Sequence, residues 1–165
     1  MTTTTATVQI HRVYIKATPA AIWEAIISPE WTARYGYQGP VDYDLRPGGA
    51  FRALATPMMR EFGMPEVVVD GEVVECDPPN KLVQTYRFLF NGDTEAEGFT
   101  TLTWQIEVEN DSLTRLTVTH DVTDAPLHAA MVAGGESKLA EGGGGWPWIL
   151  SDLKTLLESG SGLQE

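Results

Sequence analysis

The hydrophobic pattern is most regular at the end of the chain, where apolar side chains recur every three or four positions. This spacing places them on one side of an α-helix. Pro147 suits the first helical turn, Gly160 is a typical helix end, and the preceding glycines 142–145 are expected to form a flexible hinge. The pattern predicts a long amphipathic helix that must cover an apolar surface. Its apolar stripe consists of Trp146, Ile149, Leu150, Leu153, Leu156 and Leu157.

Before this helix, most segments alternate between apolar and polar residues, which is the pattern of β-strands with one buried face. In the segment 99–109, Leu102 and Trp104 fall on the face opposite Thr101 and Thr103. Clusters of Gly, Pro, Asn and Asp separate these segments, as in turns between antiparallel strands. The segments predicted as strands are 8–16, 41–45, 50–55, 67–76, 82–90, 99–109 and 113–121.

Two capping motifs predict short helices after the first strand. Thr18-Pro19 and Ser28-Pro29 each place a capping side chain before a proline suited to the first turn. The methionine-rich segment 56–65 is predicted as a loop and the segment 91–93 as a turn. The segment 123–145, rich in Ala and Gly, is predicted as part helix and part loop.

Short motifs spread over most of the chain occur in a particular order and spacing. They are Ile15-Lys16-Ala17-Thr18-Pro19 with Ile22-Trp23, Arg46-Pro47-Gly48-Gly49-Ala50-Phe51, Gly71-Glu72-Val73-Val74-Glu75 with Asp77-Pro78-Pro79 and Lys81-Leu82, Thr114-Arg115-Leu116-Thr117-Val118-Thr119-His120, and Gly145-Trp146. Together they resemble the START-like, or Bet v 1-like, superfamily, and within it the group related to the C-terminal domain of the Hsp90 ATPase activator. The resemblance implies an α+β helix-grip fold, in which a curved antiparallel sheet of six or seven strands surrounds a long C-terminal helix.

The resemblance constrains function less than fold, because the superfamily includes lipid carriers, hormone receptors, polyketide cyclases and co-chaperone domains. Members of the group often carry a tryptophan in the fifth strand, where this chain has Tyr86. No position corresponds to a catalytic residue shared across the group. The catalytic residues, if the protein is an enzyme, are therefore not identified by the sequence.

Composition and charge restrict the kinds of molecule that the protein is expected to bind. The formal net charge of -12 argues against binding nucleic acid or anionic membrane surfaces, which both need a basic face. No apolar run is long enough for membrane insertion, and the N-terminus lacks the features of a signal peptide, so we expect a cytoplasmic protein. The length predicts one domain over residues 8–160, with a disordered lead at 1–7 and a disordered tail at 161–165.

The titratable residues do not form a recognisable catalytic or metal-binding motif. The three histidines lack the spacing of a metal pair, so we expect no metal and no cofactor. His120 is in phase with inward residues and is predicted as a buried structural histidine or a polar anchor, whereas His11 is expected on the outer face. Cys76 is expected to be an inert packed thiol. Arg87 is expected to point outward; Arg46, Arg52 and Arg60 could hold a ligand carboxylate if they point inward.

The aromatic residues give the strongest functional signal. Five tryptophans, five tyrosines and five phenylalanines can pack a core, but they can also line an apolar cavity between sheet and helix. The methionines of segment 56–65 suit an adaptable lid over such a cavity. The predicted cavity residues are Trp23, Ile27, Trp31, Tyr35, Phe51, Met58, Met59, Phe62, Tyr86, Phe88, Trp104, His120, Trp146, Ile149, Leu150 and Leu153.

Three functions are compatible with these observations. The first is binding of a small hydrophobic or aromatic ligand by a monomer or homodimer. The second is an enzyme of the polyketide cyclase or aromatase kind that holds its substrate in the same cavity. The third is a co-chaperone-like module that binds another protein. An apolar cavity favours the first, an inward set of Arg, His and Tyr the second, and a closed core with an exposed apolar patch the third.

Overall fold

The computed structural model describes residues 7–135, 137–139 and 143–164, and confirms the α+β helix-grip fold. In these residues, seven strands form one antiparallel sheet in the order β1-β7-β6-β5-β4-β3-β2. The strands are β1 (Val8–Ile15), β2 (Val41–Tyr43), β3 (Ala50–Leu54), β4 (Val67–Asp77), β5 (Lys81–Phe88), β6 (Thr100–Asn110) and β7 (Leu113–Asp121). The helices are α1 (Pro19–Ile27), α2 (Pro29–Thr32), α3 (Pro57–Glu61), α4 (Gly92–Ala96), α5 (Pro126–Ala133) and α6 (Gly145–Ser159). Apart from Thr7, the predicted disordered lead lies outside the described residues.

Helices α1 and α2 begin where their capping motifs predict. The Thr18 hydroxyl accepts a hydrogen bond from the Ala21 amide, so it caps the first turn of α1. Ser28 precedes α2 without such a cap and donates instead to Glu30. Each helix carries its proline in the first turn, as expected.

Two segments predicted without helix are helical, which corrects the sequence interpretation. In segment 56–65, the Thr56 hydroxyl caps α3 by accepting from the Met59 amide at 3.2 Å. This is the same Thr-Pro signal that begins α1. In the segment predicted as the turn 91–93, Asn91 and Thr94 form a reciprocal capping box that begins α4.

Helix α6 lies against β1, α1 and α5, with its apolar stripe toward the core. Trp146, Leu150, Leu153 and Leu156 are buried, as predicted. The stripe also contains one buried acidic residue, Asp152, which the apolar pattern does not predict. It follows that α6 is held by packing and by at least one buried polar side chain.

The glycines before α6 are tightly packed, which corrects the prediction of a flexible hinge. Gly144 has a φ of 123°, and a Cβ there would lie 2.6 Å from the Cβ of Trp148. Gly145 has a φ of 55°, and a Cβ there would lie 2.4 Å from the carbonyl oxygen of Val132. Both positions therefore require glycine for backbone conformation and for close approach. Gly142, the first residue of the predicted hinge, lies outside the described residues.

The two ends of the sheet differ in their connections. At one end, which we call the turn end, short segments join β2 to β3, β4 to β5 and β6 to β7. At the other, which we call the helical end, α3 joins β3 to β4, α4 joins β5 to β6, and α5 follows β7. This arrangement follows from the alternation of strand direction in an antiparallel sheet. Longer connections are where binding residues are usually found, so the helical end is the candidate entrance to the core.

Candidate functional site

A continuous row of aromatic rings crosses the inner face of the sheet. The ring of Tyr43 lies 4.6 Å from that of Phe51, which lies 6.2 Å from that of Tyr86. Tyr86 contacts Phe88 edge-on at 5.2 Å, and Phe88 stacks on Phe90 at 4.7 Å. The row crosses from β2 and β3 to β5, and then continues along β5 and the segment that follows it. We call it the aromatic row.

Part of this row remains accessible to solvent although it lies on the core side of the sheet. Phe51 and Phe88 are buried, whereas Tyr43, Tyr86 and Phe90 are only half-buried. Burial still raises the pKa of the Tyr43 and Tyr86 hydroxyls, so both stay protonated at neutral pH. The half of the inner face formed by β2 to β5 therefore leaves aromatic rings partly accessible, while the hydroxyls of Tyr43 and Tyr86 are buried and uncharged.

A buried glutamine connects this row to the centre of the sheet. Gln84 faces inward from β5 and is fully buried. Its Oε1 accepts hydrogen bonds from the Tyr43 hydroxyl at 2.6 Å and from the Trp104 indole at 3.2 Å. Its Nε2 has no hydrogen-bond partner among the described residues. The sequence analysis missed Gln84, although its position in phase with Leu82 and Phe88 marks it as an inward polar residue.

His120 belongs to a second buried network, in which both ring nitrogens are engaged. The Trp146 indole donates to Nδ1 at 3.1 Å, and because an indole only donates, Nδ1 must be unprotonated. Nε2 therefore carries the proton and donates to the Thr100 hydroxyl, 2.7 Å away, which donates to the carbonyl oxygen of Tyr86. His120 is thus a buried structural histidine, the first of the two roles predicted for it.

These contacts predict a loss of stability in mild acid. Burial, assisted by His128, lowers the pKa of His120 to about 3. Below about pH 6.5 the unfolded chain therefore binds a proton on this histidine, whereas the folded protein keeps it neutral. Stability should be unaffected above that pH and fall as the pH drops toward 3, by about 2 kcal/mol from this group at pH 5. Urea unfolding of the wild type and His120→Gln between pH 7.5 and 5 measures the difference. An equal pH dependence in both proteins would contradict the assignment.

His128 and Glu97 fix the position of α5 at the helical end. The buried His128 accepts the Phe88 amide on Nε2 at 2.9 Å and donates from Nδ1 to Glu97 at 2.7 Å. Glu97 also accepts the amides of Leu127 and His128 and so caps α5. Burial opposes the charge on Glu97, but these hydrogen bonds outweigh it and lower the pKa of the carboxyl. α5 is therefore anchored to the sheet beside Phe88.

The arginines considered as ligand anchors do not enter the inner face. Arg46 pairs with Asp44 and Arg52 with Asp42, all on exposed positions. Arg87 points outward as predicted, where it forms a bidentate pair with Asp70 and lies over the Phe99 ring. Arg60 is exposed on α3. In the described part of the chain, no lysine or arginine is among the buried residues.

The remaining titratable candidates also lie away from the inner face or form no cluster. His11 shares the inner-face register of Val118 and Val13 rather than the outer face, which corrects its predicted orientation. Burial, with a contribution from Asp77, raises the pKa of the Cys76 thiol, so the thiol is held protonated. Within residues 7–135, 137–139 and 143–164, no group of three or more His, Cys, Asp or Glu residues could hold a metal.

The predicted cavity residues divide by burial. Two of them, Met58 and Phe62, are exposed to 67% and 81% and line no enclosed space. A second group is partly buried against the core: Ile27, Trp31, Met59, Tyr86 and Ile149. The third group is buried in it: Trp23, Tyr35, Phe51, Phe88, Trp104, His120, Trp146, Leu150 and Leu153.

Two open clefts of the described residues lie at the turn end, away from the aromatic row. One, of about 440 Å³, is lined by residues such as Pro19, Asp77 and Lys81. The other, of about 260 Å³, lies between the loop before α1 and the β6–β7 turn. Neither touches Tyr86 or Gln84. None of the described helices is long and apolar enough to span a membrane.

Comparison with known families agrees with this architecture. The family model of the Activator of Hsp90 ATPase homolog 1-like protein matches residues 16–158. The chain belongs to this family. The predicted resemblance is thereby confirmed, whereas no curated protein matches the chain significantly.

Solved structures with the same fold have distant sequences. CalU16 from Micromonospora echinospora is 23% identical with a TM-score of 0.61, over 93% of this chain and 77% of CalU16. An HSP90 activator from Plasmodium falciparum is 18% identical with a TM-score of 0.56, over 95% of this chain and 91% of that one. The Aha1 dimer from Colwellia psychrerythraea is 18% identical with a TM-score of 0.61, over 94% and 99%. Identities this low show a shared fold and no more.

Proposed function

We propose that this protein binds a small hydrophobic or aromatic molecule on the inner face of the sheet, between the aromatic row and α6. The observation that carries the proposal is the partial exposure of Tyr43, Tyr86 and Phe90 on a face that otherwise forms the core. Aromatic rings that face the core but stay accessible to solvent do not gain the free energy of full burial. A bound apolar molecule would cover these rings and supply that stabilisation.

The helical end provides a route for such a molecule. Only one turn of helix, α3, and its flanks lie between β3 and β4 at this end. Met59 and Met64 pack against the core from this segment, while Met58 and Phe62 stay exposed. A short segment held by few buried side chains opens at a lower free energy than the rest of the fold. We therefore assign the segment 56–65 as the lid of the binding site.

A substitution that fills the proposed site without changing the outer surface tests the proposal. Ala53 lies on the inner side of β3, partly buried, whereas Ala50 lies on the exposed outer side of the same strand. Wild type should bind the neutral dye Nile red at one saturable site with a blue-shifted emission. Ala53→Phe should weaken this binding by about tenfold or more, equivalent to about 1.4 kcal/mol, because the ring occupies the ligand's space. Ala50→Phe is the matched control and should bind as wild type.

The result that would overturn the proposal is equally specific. If Nile red, flavone and decanoate all fail to bind saturably to the folded wild type, the inner face is not a ligand site. Equal weakening by both phenylalanine variants would place the dye elsewhere. Circular dichroism and thermal melting of both variants show that each is folded before binding is compared.

A protein-binding role is the second candidate, favoured by the exposure of Met58 and Phe62 on the lid and by the family to which the chain belongs. Stimulation of the ATPase of an Hsp90 from the same organism would measure it. The double variant Met58→Ser/Phe62→Ser should abolish this stimulation while melting as wild type, since both side chains are exposed. The inward set of Arg, His and Tyr that would favour an enzyme is incomplete in the described residues, because no arginine is buried there.

A further inference from the structure

The amide nitrogen of Gln84 is a buried donor without an acceptor. Gln84 is fully buried, and no described residue accepts a hydrogen bond from its Nε2. Rotating the amide by 180° would not satisfy it. The Trp104 indole is a donor without acceptor capacity, so the group facing it must be the amide oxygen. A buried donor left in this state costs free energy, and native proteins seldom leave one without a role.

The surroundings of this donor are apolar or uncharged. Its amide is hydrogen-bonded to Tyr43 and Trp104, whose rings lie in contact with Phe51 and Trp146 respectively. Burial holds the Tyr43 hydroxyl protonated, so this region disfavours a negative charge. Burial likewise holds His120 neutral, so it also disfavours a positive charge.

No counter-charge is available for an ionised ligand at this depth. The buried residues of the described chain include neither lysine nor arginine. The buried carboxylate, Asp152, is occupied by the backbone amides of Gly36 and Leu163. A ligand that reached Gln84 would have to be uncharged there, since an unpaired buried charge is strongly unfavourable.

We propose that Gln84 donates a hydrogen bond from Nε2 to an uncharged acceptor oxygen of an aromatic ligand, of the aryl ketone or quinone class. The inference rests on the proposed function and names the ligand class of that site. The flat rings of the aromatic row would pack against the ligand, and the amide would fix the direction of its carbonyl group. Tyr43 and Trp104 are positioning residues, because they hold the amide oxygen and so turn Nε2 toward the ligand.

A matched set of three probes tests this assignment on the wild-type protein. 9-Fluorenone, fluorene and fluorene-9-carboxylate share one ring system and differ in bearing a carbonyl, a methylene group or a carboxylate. Titration followed by tryptophan emission should give about tenfold tighter binding for fluorenone than for fluorene, the effect of one hydrogen bond to a buried donor. Fluorene-9-carboxylate should bind more weakly than fluorene.

The possible outcomes separate the two proposals. If fluorene and fluorenone bind saturably with equal affinity, the site exists but the role of Gln84 is wrong. If the carboxylate binds most tightly, the ligand class is wrong. If none of the three binds, and Nile red, flavone and decanoate do not bind either, the proposed function fails, and this inference fails with it.

The variant Gln84→Met removes the donor while keeping a side chain of similar length. It also removes the oxygen that accepts from Tyr43 and Trp104, so its folding is checked by thermal melting. It should bring the ratio of the fluorene and fluorenone affinities to within about twofold. Infrared spectra of bound fluorenone labelled with ¹³C at the carbonyl give a direct readout. The carbonyl stretch should lie at lower frequency in the wild type than in the variant. An unchanged stretch in a folded variant would overturn the assignment, and if the variant does not fold, the three-probe comparison on the wild type decides alone.

Discussion

Leu153→Ala is expected to destabilise the protein by about 2–5 kcal/mol, one of the two largest effects we foresee. Leu153 is fully buried in the middle of α6, and this helix lies against both β1 and α1. Truncation to alanine removes apolar surface from the core and leaves a cavity that the surrounding sheet cannot close, because the strands are fixed by their ladders. Urea unfolding followed by circular dichroism measures the change.

Ser151→Ala is the matched control, since Ser151 is exposed on the same helix and its hydroxyl donates to the Pro147 carbonyl within that helix. It should stay within about 0.5 kcal/mol of the wild type. Lys154, on the same helix, is less suitable as a control position, because its ammonium group donates to the Tyr14 carbonyl and to Glu158. Comparable losses from Leu153→Ala and Ser151→Ala would mean that α6 is not held by its apolar stripe.

The elements of this fold could be predicted from the sequence wherever a local pattern determines them. The alternation in β6 and the three-and-four spacing in α6 each require one buried face, and the core supplies it. The helices α3 and α4 were not predicted, because their capping signals are present in the sequence but the helices themselves are short. Thr56-Pro57 has the same capping chemistry as Thr18-Pro19, yet five helical residues are too few to establish a periodicity.

The site could be predicted only in part, because its hydrogen bonds join residues far apart in the sequence. Gln84 is 41 positions from Tyr43 and 20 from Trp104. A local sequence pattern cannot predict hydrogen bonds between residues this far apart. Its inward phase on β5 shows that it is buried but not what it bonds. Similarly, the apolar side chains of Met58 and Phe62 suggested a lining, whereas the brief helix α3 turns both of them to solvent.

The second large effect concerns Asp152, the buried carboxylate that interrupts the apolar stripe of α6. It is 2% exposed, and its two oxygens accept the backbone amides of Gly36 at 2.9 Å and Leu163 at 2.7 Å. Gly36 belongs to the segment between α2 and β2, and Leu163 follows the end of α6. One side chain therefore joins α6, the segment between α2 and β2, and the residues that follow α6.

Asp152→Ala is expected to cost about 2–4 kcal/mol. Each hydrogen bond to a carboxylate is worth more than one between neutral groups, and the alanine would leave the Gly36 amide buried without an acceptor. The alanine variant no longer has to bury a carboxylate on folding, and this gain offsets part of the lost stability. Asp152→Asn should lie between alanine and the wild type, because its amide oxygen can accept from one of the two donors while its nitrogen opposes the other. Urea unfolding of the three proteins at pH 7 tests this order, and an alanine variant as stable as the wild type would show that the carboxylate does not hold these segments together.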